Sequence, residues 1–386
     1  MPVIKTIAEQ SEQMTEWRRH LHAHPEIAFE EHETAAFIAA RLEEWGIEVR
    51  RGIAGTGVIG TLTSGEGPAI GLRADMDALA IHETNAIPHR SVRAGCMHAC
   101  GHDGHMAMLL GAARYLSKSK KFKGTVHLIF QPAEENEGGG RVMVEQGMFD
   151  EFPMTAIYGM HNWPGLPAGR FAVRPGPIMA AFDLFEITIV GKGAHAAMPH
   201  LGVDPVLAGS AIVTALQSIT SRATDPLEAA VVSVTQFHAG DTWNVIPERA
   251  VLRGTVRALT PEVQDKVEMT LYRVVESIAA GHGAGARVHY ERRYPPTIND
   301  PAEAENAAKA AATVVGESHV EQDRQPSMGS EDFAFMLEKK PGSYIWIGNG
   351  SVEGGCTLHN PRYDFNDTIL PLGASYWASL VESRLA

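Results

Sequence analysis

Cysteine is scarce in this chain, which has three cysteines among 386 residues. So few thiols give a poor basis for a disulfide framework, and we therefore expect a reducing, cytoplasmic setting. Basic residues are also in the minority, with 33 Lys and Arg against 46 Asp and Glu and a formal net charge of −13. Because phosphate binding needs a basic face, this balance argues against a nucleic-acid partner.

The sequence also has no long apolar runs, and neither repeats nor low-complexity tracts are evident. No uninterrupted apolar stretch is long enough to cross a bilayer, so no membrane partner is expected. The opening segment, MPVIKTIAEQSEQMTEWRRH, contains no apolar core of signal-peptide length. The composition, with 44% hydrophobic and 20% charged residues, is typical of a soluble globular protein, and 386 residues suggest about two domains.

The outer parts of the chain show strand and helix patterns in alternation. Segments with helical apolar spacing are residues 34–45, 104–116, 302–315 and 371–385. Short apolar runs of strand type are residues 58–62, 69–72, 125–130, 155–160 and 344–347. This alternation predicts an α/β domain with a mostly parallel central sheet flanked by helices, in which loops at the strand ends carry the chemistry.

The middle of the chain has a different pattern. Residues 184–190 alternate like a half-buried strand, and further strands are predicted at 230–237, 250–256 and 287–290. Helices are predicted at 204–219 and 261–280. We therefore expect a smaller α+β domain at residues 183–295, inserted between residues 1–182 and 296–386 of the larger domain.

One glycine motif resembles a nucleotide-binding signature. Gly55-Thr-Gly57-Val-Ile-Gly60 matches the dinucleotide fingerprint, which requires a preceding strand and a following helix. Here the glycines lead into β-branched and then turn-rich residues, VIGTLTSGEGP. The context favours a glycine-rich turn that enters a strand.

The segment HACGHDGH, residues 98–105, holds three histidines, one aspartate and one of the three cysteines. Thiolate and imidazole are typical ligands for zinc and related metals. Cys100 and His102 are two residues apart, so on an extended loop their side chains point to one side. This segment predicts a metal site, although the remaining ligands must come from elsewhere.

Four other segments offer such ligands. Three come just after predicted strands and one lies in a late loop; they are Asp75 with Asp77, Glu134 with Glu135, His161, and Cys356 with His359. The carboxyl ends of parallel strands meet at one edge of a sheet, which predicts a shared site there.

Each of these groups also has a structural interpretation. The glutamate pair could be a solvated helix start, and the chain has 18 histidines, so His359 alone is weak evidence. A closed structural zinc site could instead use Cys96, Cys100, Cys356 and His359. That alternative leaves the glutamate pair and His102 without a purpose.

These motifs together resemble a known family. RADMDAL, HACGHDGH, FQPAEE, GMHNWP, GKGAHAAMPH, NVIPE, MGSEDFAFM and CTLHNPRYDFND occur in this order over nearly the whole chain. They are similar to motifs of hippurate hydrolases and indoleacetyl-amino-acid hydrolases, in the aminoacylase and carboxypeptidase family of co-catalytic metallopeptidases. Each motif is weak alone, but the set is specific.

The resemblance implies two divalent metal ions per chain. The donor set suits Zn, Mn, Co or Ni and does not choose among them. The implied ligands are Cys100, His102, Glu135, His161 and His359.

The resemblance also implies roles for neighbouring residues. Glu134 would be the general base, and Asp75 would orient a liganding histidine. In many relatives a histidine ligand stands at the position of Arg73. Here it is an arginine, as in the hippurate hydrolase branch, where Cys100 is thought to compensate.

For the inserted domain, the resemblance implies a lid and a dimerisation surface. His195 would reach across a homodimer, or a dimer-based homo-oligomer, to stabilise the tetrahedral oxyanion. Asn244 and Arg257 would hold the substrate carboxylate, because the guanidinium fork binds two oxygens. Without the resemblance, Arg257 would be interpreted as a surface arginine in a strand.

The implied activity is metal-dependent hydrolysis of N-acyl amino acids, which are small hippurate-like molecules, to a carboxylic acid and a free amino acid. An alternative is a metallo-dipeptidase or carboxypeptidase on the same scaffold. A second alternative is a non-catalytic metal-binding protein. The presence of Glu134 together with the metal residues argues against that second alternative.

Overall fold

The computed structural model describes residues 3–135 and 137–386, and the chain divides into two compact units. The large unit comprises Met1–Ile178, Ile298–Gln325 and Asp332–Ala386, and the small unit comprises Met179–Thr297 and Pro326–Glu331. The sequence placed residues 326–331 in the larger domain. In the structure this segment groups with the small unit, and the N–H of Ala180 donates to the carbonyls of Ser327 and Gly329 at 3.1 and 2.9 Å.

Helices and strands follow one another along the chain. The helices are α1 Lys5–Ala8, α2 Ser11–Ala23, α3 His32–Glu44, α4 His102–Ser119, α5 Gly139–Glu145, α6 Met148–Glu151, α7 Pro205–Ser218, α8 Pro261–Gly281, α9 Pro301–Val315, α10 Ala334–Leu337 and α11 Leu370–Arg384. The strands are β1 Glu48–Ile53, β2 Gly57–Ser64, β3 Ala69–Asp75, β4 Gly124–Gln131, β5 Ala156–Pro164, β6 Phe171–Ala172, β7 Gly176–Met179, β8 Phe182–Val190, β9 Ala194–His195, β10 Ala230–Ala239, β11 Val245–Ile246, β12 Arg249–Ala258, β13 Gly285–Tyr294, β14 Thr297–Asn299, β15 Val320–Glu321 and β16 Gly342–Gly350.

The large unit is built on an eight-stranded sheet in the order β1-β2-β4-β3-β5-β16-β6-β15. Its four central strands, β4, β3, β5 and β16, are parallel, whereas β1 and β2 join one side antiparallel. The central strands are buried along almost their whole length. Burial on both faces explains their near-continuous apolar sequences, such as TVHLIF in β4. The predicted α/β architecture with a mostly parallel central sheet is confirmed.

Helix α4 anchors the metal-site motif in the core of the large unit. It contacts β3, β4, β5 and α11, and every residue from His102 to Ala113 is buried. The glycine motif behaves as the sequence predicted, because Gly55 lies in a turn with φ of 86° and β2 begins at Gly57. It is therefore no nucleotide-binding loop of the strand–turn–helix type.

The small unit is a four-stranded antiparallel sheet, β10-β12-β8-β13, on which α7 and α8 pack. Alternate residues of β8, including Phe185, Ile187 and Ile189, enter a separate apolar core with Val267 and Leu271 of α8. In the described part of the chain, no helix is both long enough and apolar enough to span a membrane.

A buried cluster of charged groups joins α2 to the start of α4. The Oδ2 atom of Asp103 lies 2.9 Å from Arg18 Nε and 2.8 Å from His22 Nδ1, and His22 Nε2 lies 3.3 Å from Glu83. Burial opposes protonation of His22, but the hydrogen bonds with Asp103 and Glu83 outweigh it and raise its pKa to about 9. The charged imidazole therefore stabilises the contact between the two helices.

This cluster predicts a pH-dependent part of the stability. A raised histidine pKa contributes stability that is complete below the unfolded pKa of about 6.5 and is lost as the pH rises through about 9. The difference in unfolding free energy between the parent and His22→Asn should therefore be largest near pH 6. It should shrink by on the order of 1–3 kcal/mol by about pH 10 in urea unfolding. The exposed His82→Asn serves as control, and a pH-independent effect of His22→Asn would contradict the assignment.

Candidate active site

The carboxyl ends of the central strands bring the predicted residues together. Asp75 is the last residue of β3, Glu134 and Glu135 lie in the turn after β4, and His359 lies in the loop after β16. His161 differs from the prediction because it lies inside β5, which continues to Pro164 in register with β16.

His102 also differs from the prediction, because it is the first residue of α4 and does not lie on an extended loop. The helix begins there because Gly101, with φ of 90°, turns the chain in the left-handed region. Cys100 remains in the loop before the helix, so the two side chains still approach one site.

Six predicted residues form overlapping groups whose ligand atoms lie within 4.8 Å of one another. Three groups consist only of these residues: Cys100 with His102 and His161, Cys100 with Glu135 and His359, and His102 with Glu134 and Glu135. A further group joins the predicted residues Asp75 and His102 with His105. Within the described residues, the groups able to hold a metal include neither Cys96 nor Cys356. Their thiols lie near carbonyl oxygens instead, at 3.5 Å from Pro25 and 3.2 Å from Asp364, which argues against a four-ligand structural zinc site.

Backbone carbonyls orient two of the histidines. His102 Nδ1 lies 2.8 Å from the carbonyl oxygen of Asp77, and His161 Nδ1 lies 2.6 Å from that of Asn162. Because a carbonyl only accepts, each Nδ1 carries the proton and each Nε2 offers a lone pair. His161 Nε2 lies 3.4 Å from Cys100 Sγ. His102 Nε2 is buried and has no hydrogen-bond partner, as expected of a ligand atom.

The charges in the cluster also fit a cation. Burial, together with the nearby Glu135 and Glu134, raises the pKa of the Cys100 thiol well above its usual value. The pKa of His359 is raised by its hydrogen bond with Glu135, whose Oε1 lies 2.9 Å from Nε2. A thiol beside two glutamates ionises only when a positive charge compensates it. One thiolate, one carboxylate and three imidazoles form a donor set that suits Zn, Mn, Co or Ni.

A layer of hydrogen bonds behind the ligands was not predicted. His105 Nδ1 lies 2.6 Å from Asp75 Oδ1, and its Nε2 accepts from the N–H of Asn162 at 2.9 Å. The amide of Asn162 donates to the carbonyl of Cys100 at 2.7 Å, and Tyr363 donates to Asn162 Oδ1 at 2.6 Å. Asp75 thus hydrogen-bonds to His105, whereas it lies 3.8 Å from His102 Nε2. The sequence contained a signal for the role of His105, because His102 and His105 are three residues apart and therefore share one face of α4.

Arg73 lies beneath this layer and is fully buried. Its guanidinium pairs with Asp75 at 2.7 Å and with Asp332 at 3.0 Å, and Nε donates to Gln131 at 2.8 Å. A guanidinium has no lone pair to offer a metal. Position 73 therefore supplies a buried cation that fixes Asp75.

The other three predicted residues belong to the small unit. His195 is exposed on β9, which pairs with β11, and the N–H of Ala196 donates to the carbonyl of Asn244 at 2.9 Å. Arg257 is half-buried over the ring of Phe182, at 4.1 Å from its centroid, and burial lowers its pKa. The structure thus places His195 near Asn244, and their roles stay predictions.

Gly101 gives a direct test of the loop geometry. A Cβ atom at this position would lie 2.3 Å from Asn162 Nδ2 and 2.6 Å from the Tyr363 hydroxyl. Gly95 has a similar φ of 78°, but its Cβ would meet nothing within 4 Å. Gly95→Ala should cost about 1 kcal/mol of unfolding free energy through backbone strain alone, and Gly101→Ala at least about 3 kcal/mol. Equal losses in denaturant unfolding would contradict the close packing around Gly101.

Known proteins are similar to this chain over nearly its whole length. The family model described as Peptidase family M20/M25/M40 matches residues 71–383. The chain is 39% identical to a hippurate hydrolase of Campylobacter jejuni over 381 residues, covering 98% of both chains. It is 42% identical to an N-acetyl-L-cysteine deacetylase of Bacillus subtilis over 374 residues, covering 95% of this chain and 87% of the relative.

A solved structure is also similar to this chain, and the match covers nearly the whole length of both. The crystal structure of the Bacillus subtilis YXEP protein, described as a dinuclear metal binding peptidase from the M20 family, matches with a TM-score of 0.86 and 38% identity. The match covers 98% of this chain and 99% of that one. The resemblance and the hydrolase class predicted from the sequence are confirmed, and the chain belongs to Peptidase family M20/M25/M40.

Proposed function

We propose that the protein is a metal-dependent amidohydrolase that splits N-acyl amino acids into a carboxylic acid and a free amino acid. The observation that supports this most directly is the position of Glu134, whose carboxylate lies within 4.8 Å of the ligand atoms of His102 and Glu135. The relatives named above are called a hippurate hydrolase and an N-acetyl-L-cysteine deacetylase, and both names denote action on N-acyl amino acids.

Two divalent ions, of Zn, Mn, Co or Ni, are the proposed cofactors. The proposed ligands are Cys100, His102, Glu135, His161 and His359. When bound, such ions lower the pKa of the attacking water and polarise the scissile carbonyl. The buried, unpartnered Nε2 of His102 supports this assignment, because it would otherwise be an unsatisfied polar atom in the core.

Glu134 is the proposed general base. The neighbouring N–H of Glu135 donates to Asp77 Oδ2 at 2.9 Å, so the turn is held while the Glu134 carboxylate faces the ligand atoms. In this role Glu134 accepts a proton from the attacking water and returns it to the departing amine.

The small unit is proposed to hold the rest of the substrate. Arg257 and Asn244 would bind the substrate carboxylate, and His195 would stabilise the oxyanion from the second copy of the chain. A half-buried guanidinium and an exposed imidazole on a short strand support these roles. Such donors are effective when they are aimed at the charge that develops in the transition state.

A homodimer, or an oligomer built from dimers, is proposed as the assembly. Strand β10 is an edge strand of the four-stranded sheet in the small unit, and residues 235–239 of this strand are exposed. It also exposes Val231 and Phe237 by 37% and 39% of their surface. An edge strand with apolar side chains and unpaired backbone groups is a surface that a second copy can cover.

A cytoplasmic location is proposed from cysteine chemistry. Cys96, Cys100 and Cys356 are all free thiols. Free thiols persist in a reducing compartment.

An aromatic acyl group is the proposed preference. The partly exposed ring of Trp163 stacks on the buried Trp346 at 4.0 Å and 13°, and its centroid lies 6.2 Å from that of His161. This places a rigid aromatic surface beside the proposed ligands. Aromatic rings favour stacked or edge-on contacts with one another, so a benzoyl group would gain more here than an acetyl group.

A substrate screen tests the proposed function. Purified enzyme supplied with Zn²⁺, Mn²⁺, Co²⁺ or Ni²⁺ should release glycine from N-benzoylglycine, or the amino acid from another N-acyl amino acid. The readout is amino-acid release, with chelated enzyme as control. Turnover of unblocked dipeptides alone would replace this assignment with a dipeptidase, and no turnover of either class would favour a non-catalytic metal-binding protein.

Replacement of the proposed base gives a second test. Glu134→Gln keeps the shape of the side chain but cannot accept the proton, so kcat should fall by at least roughly two decades while metal content is unchanged. Glu137→Gln, an exposed residue of the same loop, should keep the parent rate. Parental turnover by metal-loaded Glu134→Gln would remove Glu134 from this role.

The three cysteines give a matched set of variants. Cys100→Ser should lower metal content and activity, because a neutral hydroxyl is a poor replacement for a thiolate ligand. Cys96→Ser and Cys356→Ser should retain the metal content of the parent, measured per chain on purified protein. Equal metal loss in all three variants would instead support the structural zinc site, and full metal content in Cys100→Ser would show that the histidines bind without the thiol.

A further inference from the structure

A buried glutamate outside the metal cluster contacts the turn that carries Glu134. Glu31 directly precedes α3 and is fully buried. Its Oε1 accepts a hydrogen bond from the N–H of Ala133 at 2.9 Å, and its Oε2 accepts one from the hydroxyl of Thr56 at 2.6 Å. Both carboxylate oxygens are therefore engaged, one of them by the residue next to the proposed base.

The backbone that Glu31 holds is strained. Ala133 has φ of 55°, in the left-handed region that non-glycine residues rarely adopt. Its carbonyl accepts from the N–H of Gly139 at 2.9 Å, which closes the turn. A residue in this region costs on the order of 1–3 kcal/mol and persists only where its surroundings over-determine it.

Two carboxylates hold this turn on either side of Glu134. Glu31 accepts the N–H of Ala133, and Asp77 accepts the N–H of Glu135 at 2.9 Å. The peptide unit before Ala133 and the peptide unit after Glu134 are thus fixed from two different parts of the chain. Only Ala133 and Glu134 lie between these two fixed units, so the left-handed conformation of Ala133 sets the direction of the Glu134 side chain.

We propose that Glu31 is a positioning residue, which keeps Ala133 in its left-handed conformation and so aims Glu134 at the attacking water. The proposal rests on the proposed function of Glu134 as base. Without Glu31, the N–H of Ala133 is buried with no acceptor. The turn then lowers its free energy when Ala133 relaxes to a negative φ. A misplacement of about 1 Å at a reacting group can cost roughly a hundredfold in rate.

The experiment compares Glu31→Ala and Glu31→Gln. The amide oxygen of glutamine can still accept from Ala133, and its NH₂ can donate to Thr56. Burial raises the pKa of Glu31 to about 7, so a neutral side chain is a close electrostatic substitute. Glu26→Ala is the matched control, because Glu26 is also a buried carboxylate that accepts a backbone N–H, that of Thr34 at 2.8 Å, away from this turn.

Glu31→Ala should lower kcat at least tenfold on the N-acyl amino acid that the parent hydrolyses, with KM and metal content near those of the parent. Glu31→Gln should keep kcat within about threefold, and Glu26→Ala should lose stability but keep kcat. Hydrogen exchange of the peptide spanning 131–139, followed by mass spectrometry, should show faster exchange in Glu31→Ala and parental protection in Glu31→Gln.

Several outcomes would overturn the proposal. These are parental kcat in Glu31→Ala, equal kcat losses in Glu31→Ala and Glu31→Gln, a loss explained by missing metal, or unchanged exchange at 131–139. Failure of the proposed function is distinguishable, because then the parent releases no amino acid or Glu134→Gln retains turnover. The exchange measurement still tests the hold of Glu31 on the turn in that case.

Discussion

The shared carboxyl edge of four parallel strands is the constraint on which the large unit depends. Residues as far apart in sequence as Cys100 and His359 have ligand atoms within 4.8 Å of each other there. The strands can end together because each is buried along nearly its full length and held in register with its neighbours. The apolar sequences that build the sheet therefore also set the spacing of the polar groups at its edge.

Backbone conformation at this edge is unusual at three points. Gly101, Ala133 and His359 all have positive φ, at 90°, 55° and 60°. Each stands at or beside a proposed ligand or the proposed base. Glycine adopts this conformation readily, but at Ala133 and His359 it is costly and requires contacts that hold it, such as the hydrogen bond of Glu31 at Ala133. The hydrogen bond from Asn162 to the carbonyl of Cys100 holds the chain beside Gly101. Stability of the fold and geometry of the site thus depend on the same contacts.

Much of this arrangement could be predicted from the sequence. Apolar periodicity predicted the central strands and α4, and the motif order predicted the family. The supporting contacts could not be predicted, because they join distant segments: Glu31 and Ala133 are 102 residues apart, and Arg73 and Asp332 are 259 apart. His161 was placed after its strand because periodicity indicates the apolar part of a strand and not the polar end that continues the ladder. No local signal assigns residues 326–331 to the small unit, since long-range backbone hydrogen bonds decide it.

We propose that this edge holds two metal ions between five side chains, with Glu135 as a ligand and Glu134 as the base. Anomalous diffraction above the zinc edge, from crystals of the parent grown with Zn²⁺, tests it most directly. We expect two peaks, both enclosed by the proposed ligands Cys100, His102, Glu135, His161 and His359. A single peak at this edge, or the strongest peak at Cys96 or Cys356, would contradict it.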